Sequence, residues 1–183
     1  MIMTQAPLMD RIHITEDYDV PRVINGGWQL SAGHALERPL DLADASRAFN
    51  RLIDMGFDTF DCADIYTGVE DFFGGIIRER RKAGLRLPQI HTKLVPDLND
   101  LANVTPAYIE NIITRSLRRL GVERLDAVQF HWWDYSVPGM VDVAGELVRL
   151  QEKGLIRLIS TTNFNAVELR KLIDAGIPVA TNQ

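Results

Sequence analysis

Four polar residues of complementary chemistry, Asp61, Tyr66, Lys93 and His131, stand at or just beyond the ends of apolar runs. The runs cover residues 57–60, 90–92 and 125–130, and a helical pattern follows each. A phenol has a reference pKa near 10, so at neutral pH it holds its proton and can donate it. An ammonium at ~4 Å and an effective dielectric of ~20 favours the phenolate by up to about 4 kcal/mol, before screening. A carboxylate beside that ammonium keeps it charged and oriented and offsets part of its field. An imidazole can direct a carbonyl oxygen by hydrogen bond. Together these groups suit protonation of an oxygen as negative charge develops on it, which is what carbonyl reduction requires.

Taken singly, each residue has a structural reading. Lys93 reads as a strand-end cation, His131 as a satisfied core histidine, Asp61 as a turn cap and Tyr66 as packing. Their joint placement is what points to one site. Alternation along a strand puts Gln129 with His131, Thr59 with Asp61, and His91 with Lys93 on common faces. Tyr66 follows Asp61 by five residues, enough to leave the strand and fold back over the same opening. His91, one step deeper, reads as interior filling, and Cys62 faces the opposite side as a structural residue.

The elements that must position these side chains alternate in period. Residues 11–14 and 18–20 suggest a small hairpin ahead of the core, and 22–25 the first core strand, followed by Gly26, Gly27 and Trp28. Asp41 caps a helix carrying Leu42, Ala45, Phe49, Leu52 and Ile53, with Gly56 as its stop. Thr67 with Glu70 forms a capping-box pattern before a helix in which Gly74 and Gly75 imply close packing. Thr105-Pro106 opens the next helix, which ends at Gly121. A helix over 141–153, a strand over 155–160, a helix capped by Asn165 with Glu168, and a sixth strand at Val179 and Ala180 complete the chain.

Strict strand–helix alternation implies parallel strands with right-handed crossovers. A doubly wound open sheet and a (β/α) barrel both satisfy it. The barrel is favoured, because no Gly-x-Gly-x-x-Gly turn follows the first strand and polar residues recur at successive strand ends. Asp61, Lys93, His131 and Asn163 lie 32, 38 and 32 residues apart in turn, one strand-plus-helix unit each time. No linker divides the 183 residues, so a single domain over 1–183 is expected.

Composition narrows the function. A net charge of −5 argues against a nucleic-acid or anionic-membrane surface, and no apolar run approaches the ~18 residues of a membrane span. The basic stretch 78–82 reads as a solvated helix face. One cysteine, Cys62, excludes an internal disulfide and a cysteine-built zinc site, and no metal is assigned. Residues 1–9 lack the pattern of a secretory signal, so the cytoplasm is the expected compartment.

The stretch from Gly56 through Asp61, Cys62, Ala63 and Asp64 to Tyr66, followed by Glu70, resembles the signature of the aldo-keto reductases. His91-Thr92-Lys93 and Gln129-Phe130-His131-Trp132 resemble that family's lysine and histidine segments. Thr162-Asn163-Phe164 and Asn182-Gln183 resemble its Ser-Asn-Phe and Asn-Gln segments. The resemblance runs in order from about Arg22 to the last residue. It implies a TIM (β/α)8 barrel of which about six of eight units are present. It also implies a nicotinamide cofactor, usually NADPH with NADH left open, and a small carbonyl or alcohol substrate. Catalytic roles would fall to Asp61, Tyr66, Lys93 and His131. Cofactor contacts would fall to Gly27, Trp28, Asp61, Thr162, Asn163 and Gln183, and the substrate wall to Trp28, Trp132 and Trp133.

Three departures stand out. Cys62 replaces the usual threonine or serine, Thr162 the common serine, and Ser160 a usual glycine. The chain also ends before a seventh and eighth strand, so a truncated reductase with open sheet edges, prone to self-association and catalytically silent as it stands, is expected. A binding or regulatory protein on the same scaffold is the alternative reading. A phosphate-binding lyase or isomerase would use Lys93 but leaves Tyr66, Asn163 and Gln183 unexplained.

Overall fold

The computed structural model describes residues 9–32 and 41–183. The stretch read for a secretory signal therefore lies, except for Met9, outside the described residues. A hairpin of β1 (Arg11–Thr15) and β2 (Tyr18–Pro21) precedes the core. Six parallel strands follow: β3 (Asn25–Gly26), β4 (Thr59–Asp61), β5 (Gln89–Leu94), β6 (Leu125–Phe130), β7 (Ile156–Thr161) and β8 (Val179–Asn182). They pair strictly in chain order, as successive units of a (β/α)8 barrel do. Between them run α1 (Leu42–Asp54), α2 (Val69–Lys82), α3 (Pro106–Leu120), α4 (Met140–Glu152) and α5 (Ala166–Asp174). Among the described residues no helix is long and apolar enough to cross a membrane.

Three caps form as the side chains dictate. Asp41 accepts from the Ala43 and Asp44 N–H groups, Thr105 from Tyr108 N–H, and Asn165 from Val167 and Glu168 N–H. Two expectations need correction. The first core strand is shorter than 22–25: β3 covers Asn25–Gly26, with β4 as its one ladder partner among the described residues, and Val23 and Ile24 stay exposed. The Thr67–Glu70 capping box does not form either. Gly68, at φ 82°, caps α2 in a left-handed turn, and Glu70 is drawn inward. There it accepts from the Thr92 hydroxyl at 2.7 Å and pairs with Arg119 at 3.1 Å. A buried carboxylate gains more from a cation and a hydroxyl than from one backbone N–H.

Strand alternation sorts the side chains into two layers. Phe60, Ile90, Val128 and Ile159 point outward into the core under the helices. Thr59, Asp61, His91, Lys93, Ala127 and Gln129 alternate with them and face the barrel interior. The hairpin closes one end of that interior, where Tyr18 and Val20 pack on Ala127 and Leu158. The Tyr18 hydroxyl meets His91 Nε2 at 3.0 Å, which makes His91 interior filling as its depth implied.

Helices α2 and α3 touch closely at one point. A Cβ on Gly74 would overlap the Arg119 carbonyl oxygen, whereas a Cβ on Gly75 would meet nothing within 4 Å. The two glycines thus have separate causes, and only the first is a packing requirement. Gly74→Ala is expected to cost about 2 kcal/mol through forced backbone displacement, and Gly75→Ala to add about 0.8 kcal/mol of helix propensity. Urea denaturation of both variants checks this, and equal effects would refute the packing argument.

Candidate active site

The site is built around a buried ion pair. Lys93 Nζ donates to Asp61 Oδ1 at 2.6 Å and to the Cys62 carbonyl at 2.8 Å. The same carboxylate oxygen accepts from Gln129 Nε2 at 2.7 Å and Gln183 Nε2 at 3.1 Å. Side-chain exposure is 7% for Lys93 and 15% for Asp61, so both charges have left most of their water. Removal from water costs several kcal/mol per ion, and only this full set of hydrogen bonds offsets it. Sheet register pairs Asp61 with His91 and Lys93 with Gln129, so a long lysine stem reaches diagonally to the neighbouring strand.

Tyr66 turns back over the pair from the loop between β4 and α2, where its N–H bonds the Ala63 carbonyl at 3.1 Å. Lys93 Nζ lies 5.6 Å from the centre of its ring. Burial raises the phenol's pKa above its ordinary value, and the Asp61 charge raises it further. This corrects the expectation that the ammonium would favour a phenolate. Lys93 gives two of its three hydrogens to Asp61 and the Cys62 carbonyl, and the Asp61 charge offsets part of its field at Tyr66.

His131 follows β6 directly, its N–H bonded to the Leu94 carbonyl at 3.0 Å. The indole of Trp133 stands perpendicular to its ring, with centroids 4.4 Å apart. Burial lowers the imidazole pKa, opposed by a contact from Nδ1 to the Thr162 carbonyl, and so favours the neutral ring. A carbonyl only accepts, so Nδ1 carries the hydrogen in that contact. At 3.3 Å the bond is long. Nε2 itself is buried with no partner among the described residues.

Tyr66, Lys93, His131, Thr162, Asn163 and Gln183 line one cleft of about 230 Å³. Asp61 lies behind it and borders a second hollow of about 320 Å³, together with His91 and Gln129. At the rim the Thr162 hydroxyl bonds Gln183 Oε1 at 3.2 Å. Asn163 takes a left-handed φ of 63°, held by its N–H on the Gln183 carbonyl at 2.9 Å and by Tyr135 Oη on its own carbonyl at 3.1 Å. Gly27 lies against the pair's strand: its N–H bonds the Asp61 carbonyl at 2.8 Å, and a Cβ there would sit 2.9 Å from Val69 Cγ1. Trp28 heads a short 3₁₀ turn and is 44% exposed.

The three tryptophans part company. Trp133 borders the cleft, with its indole N–H on the Pro96 carbonyl at 2.8 Å. Trp132 does not, and the expectation that it walls the pocket is corrected. It is buried in the core against Phe130, with its indole N–H on the Val137 carbonyl, because strand alternation continues past β6 and turns it outward. Cys62 and Ser160 fit without strain. Cys62 is buried in the outer core, and the Ser160 hydroxyl accepts from Thr181 Oγ1 at 2.9 Å. Sequence reading missed Gln129 as a partner of Asp61, although its inward face was legible. It also missed Tyr135 as a support of Asn163, for which no local signal exists.

Comparison with known proteins accords with this geometry. The profile of the Aldo/keto reductase family matches residues 22–183. This chain belongs to the aldo/keto reductase family. It is 30% identical to methylglyoxal reductase DkgA of Yersinia pestis over 184 residues, covering 99% of this chain and 58% of that protein. An aldo-keto reductase of Mycobacterium sp. (strain KMS) is 30% identical over 181 residues, covering 97% and 58%. Among solved structures, a Bombyx mori aldo-keto reductase in complex with NADP superposes with TM-score 0.77 at 23% identity, over 96% of this chain and 57% of that one. The glycerol dehydrogenase of Gluconobacter oxydans superposes with TM-score 0.76 at 28% identity, over 95% and 54%. The chain thus spans somewhat over half the length of these relatives. In aldo/keto reductase terms the described residues supply six strands of an eight-stranded barrel.

The ion pair makes a stability prediction. Lys93→Met leaves Asp61 buried without its cation and is expected to cost about 3 kcal/mol. Adding Asp61→Asn removes the stranded charge while keeping an acceptor for Gln129, and should recover at least about 1 kcal/mol. Urea unfolding of the two single variants and the double completes the cycle. A double-variant loss equal to the sum of the single losses would show that the two groups are not coupled.

Proposed function

We propose that this chain carries the proton-handling part of a nicotinamide-dependent carbonyl reductase, with Tyr66 as proton donor. The observation that carries the reading is the placement of Tyr66 and His131 on one cleft directly above the buried Lys93–Asp61 pair. Family membership makes the chain an oxidoreductase by resemblance, and the whole protein's substrate, cofactor choice and partners form part of the proposal.

The rim fits the nicotinamide end of such a cofactor. Thr162, Asn163 and Gln183 offer neutral donors and acceptors that match a carboxamide. When bound, the cofactor supplies a hydride to the carbonyl carbon. The protein manages the oxygen. His131 borders the place of the carbonyl oxygen and fixes its direction. Tyr66 holds its proton well above neutral pH and delivers it to that oxygen as charge builds up. Lys93 holds Asp61 and the loop beneath Tyr66 in place. Asp61 keeps the ammonium charged in a site with little water. We propose NADPH as the preferred cofactor, a small aldehyde, ketone or alcohol as the substrate and the cytoplasm as the place of action. Exposed backbone along β3 and β8, each with one ladder neighbour among the described residues, supports self-association when no further strand covers it.

Oxidation of NADPH with simple aldehydes tests the reading. Tyr66→Phe is expected to lower kcat by about 10² to 10⁴. A full rate in that variant would discard the proton-donor role, and cofactor binding without turnover would favour a regulatory protein. The pH profile adds a second check. Tyr66 acts in its protonated form and its pKa is raised, so activity persists below that pKa and is lost as pH rises through it. The alkaline fall should therefore lie above about pH 10. A fall centred near neutrality would contradict the assignment.

A further inference from the structure

Beside the catalytic cleft lies a larger hollow of about 860 Å³, open to solvent and walled by α3. The two share Ile65, Val95 and Trp133, so they lie side by side. Within the cleft the charges are internally matched. The hollow is different. Asn111, Thr114, Arg115 and Arg118 recur along α3 at the spacing that lines up one helix face, and all four border it.

The arginines of this wall are unequally engaged. Arg119 is committed to the Asp64 carbonyl and to Glu70, each at 3.1 Å. Arg115 gives Nη2 to Asp64 Oδ2 at 3.2 Å, while its buried Nε has no partner among the described residues. Arg118 is exposed and forms no hydrogen bond or ion pair with the described residues. Two carboxylates, Asp64 and Asp97, line the hollow with these arginines, and Glu70 and Asp71 face Arg119 from α2. Among the described residues Asp64 is the only acid paired with Arg115, and burial, aided by Glu70, pushes its pKa up to about 7. Asp97 spends Oδ1 on the Asn99 N–H at 2.9 Å. Guanidinium hydrogens are therefore left over on a wall that adjoins the reacting centre, and planar forked donors suit carboxylate or phosphate oxygens.

We propose that this hollow binds an anionic end group of the substrate, held by Arg115 and Arg118, while the carbonyl lies at Tyr66 and His131. Trp133 lies under the segment that joins the two ends. The assignment rests on the carbonyl-reductase reading above, and it names the substrate class as carbonyl compounds that carry a remote carboxylate or phosphate.

The test uses the full chain and a graded series of unbranched aldehydes ending in a carboxylate, each beside its methyl ester. Binding is measured by calorimetry with NADP⁺ present, where no hydride can be delivered, and turnover is measured with NADPH. At the chain length that spans the two hollows, the acid should bind about tenfold more tightly than its ester. Arg118→Met should bring acid and ester within about twofold while leaving the ester's affinity in place, and Arg118→Lys should restore part of the difference. Arg115→Met should act in the same direction; if loss of the Asp64 contact unfolds it, Arg118 alone decides. An acid that binds no better than its ester, or an advantage that survives Arg118→Met, overturns the proposal and leaves the reductase reading intact. An acid preference in binding with no turnover of any aldehyde overturns the substrate assignment through the reductase reading instead.

Discussion

A lysine ammonium and an aspartate carboxylate removed from water at the end of a barrel impose conditions on everything around them. Each ion must recover its lost hydration through hydrogen bonds of good geometry. Asp61 Oδ1 accepts from Lys93, Gln129 and Gln183, which stand on or beside three different strands, so the register of β4, β5, β6 and β8 is fixed by one oxygen. Lys93 in turn takes the Cys62 carbonyl, which ties the loop carrying Tyr66 to the same charge. A one-residue slip in any of these strands would turn its inward polar residue into the apolar core. The pair therefore specifies the fold locally while it prepares the site.

A second layer of charge holds the loop from outside. Asp64 accepts from the Val95 N–H at 3.2 Å and from Arg115, and its own carbonyl accepts from Arg119. Glu70 joins Arg119 to the Thr92 hydroxyl in the strand that carries Lys93. Tyr66 thus sits between two polar networks, one inside the barrel and one against α3, rather than on a free loop. That arrangement suits a proton donor whose oxygen must meet a reacting atom within hydrogen-bond reach. It also places arginines on the far side of the same loop, where the hollow along α3 adjoins the catalytic cleft.

Much of this was legible from the residues. Helix boundaries followed from Asp41, Thr105-Pro106, Gly121 and Asn165, because capping is a local interaction that neighbouring residues settle among themselves. Strand faces followed from two-residue alternation, which puts Asp61, Lys93, Gln129 and His131 on the inward faces of their strands. The misreadings arose where distant partners competed with local ones. Glu70 satisfies every requirement of a capping box, yet a cation 49 residues away takes it. Trp132 stands next to His131 in sequence, yet alternation carries it into the core.

The sequence by itself determined the order of strands and helices, the polarity of each strand face and the family, since these depend on periodicity and on residues close together in the chain. Tertiary structure decided the electrostatics. It set which donors share Asp61, why Tyr66 is pushed up rather than down, why His131 favours its neutral form, and how the arginines of α3 come to lie beside the cleft. Those outcomes depend on burial and on distances between elements, and neither quantity is a property of a residue and its neighbours in the chain.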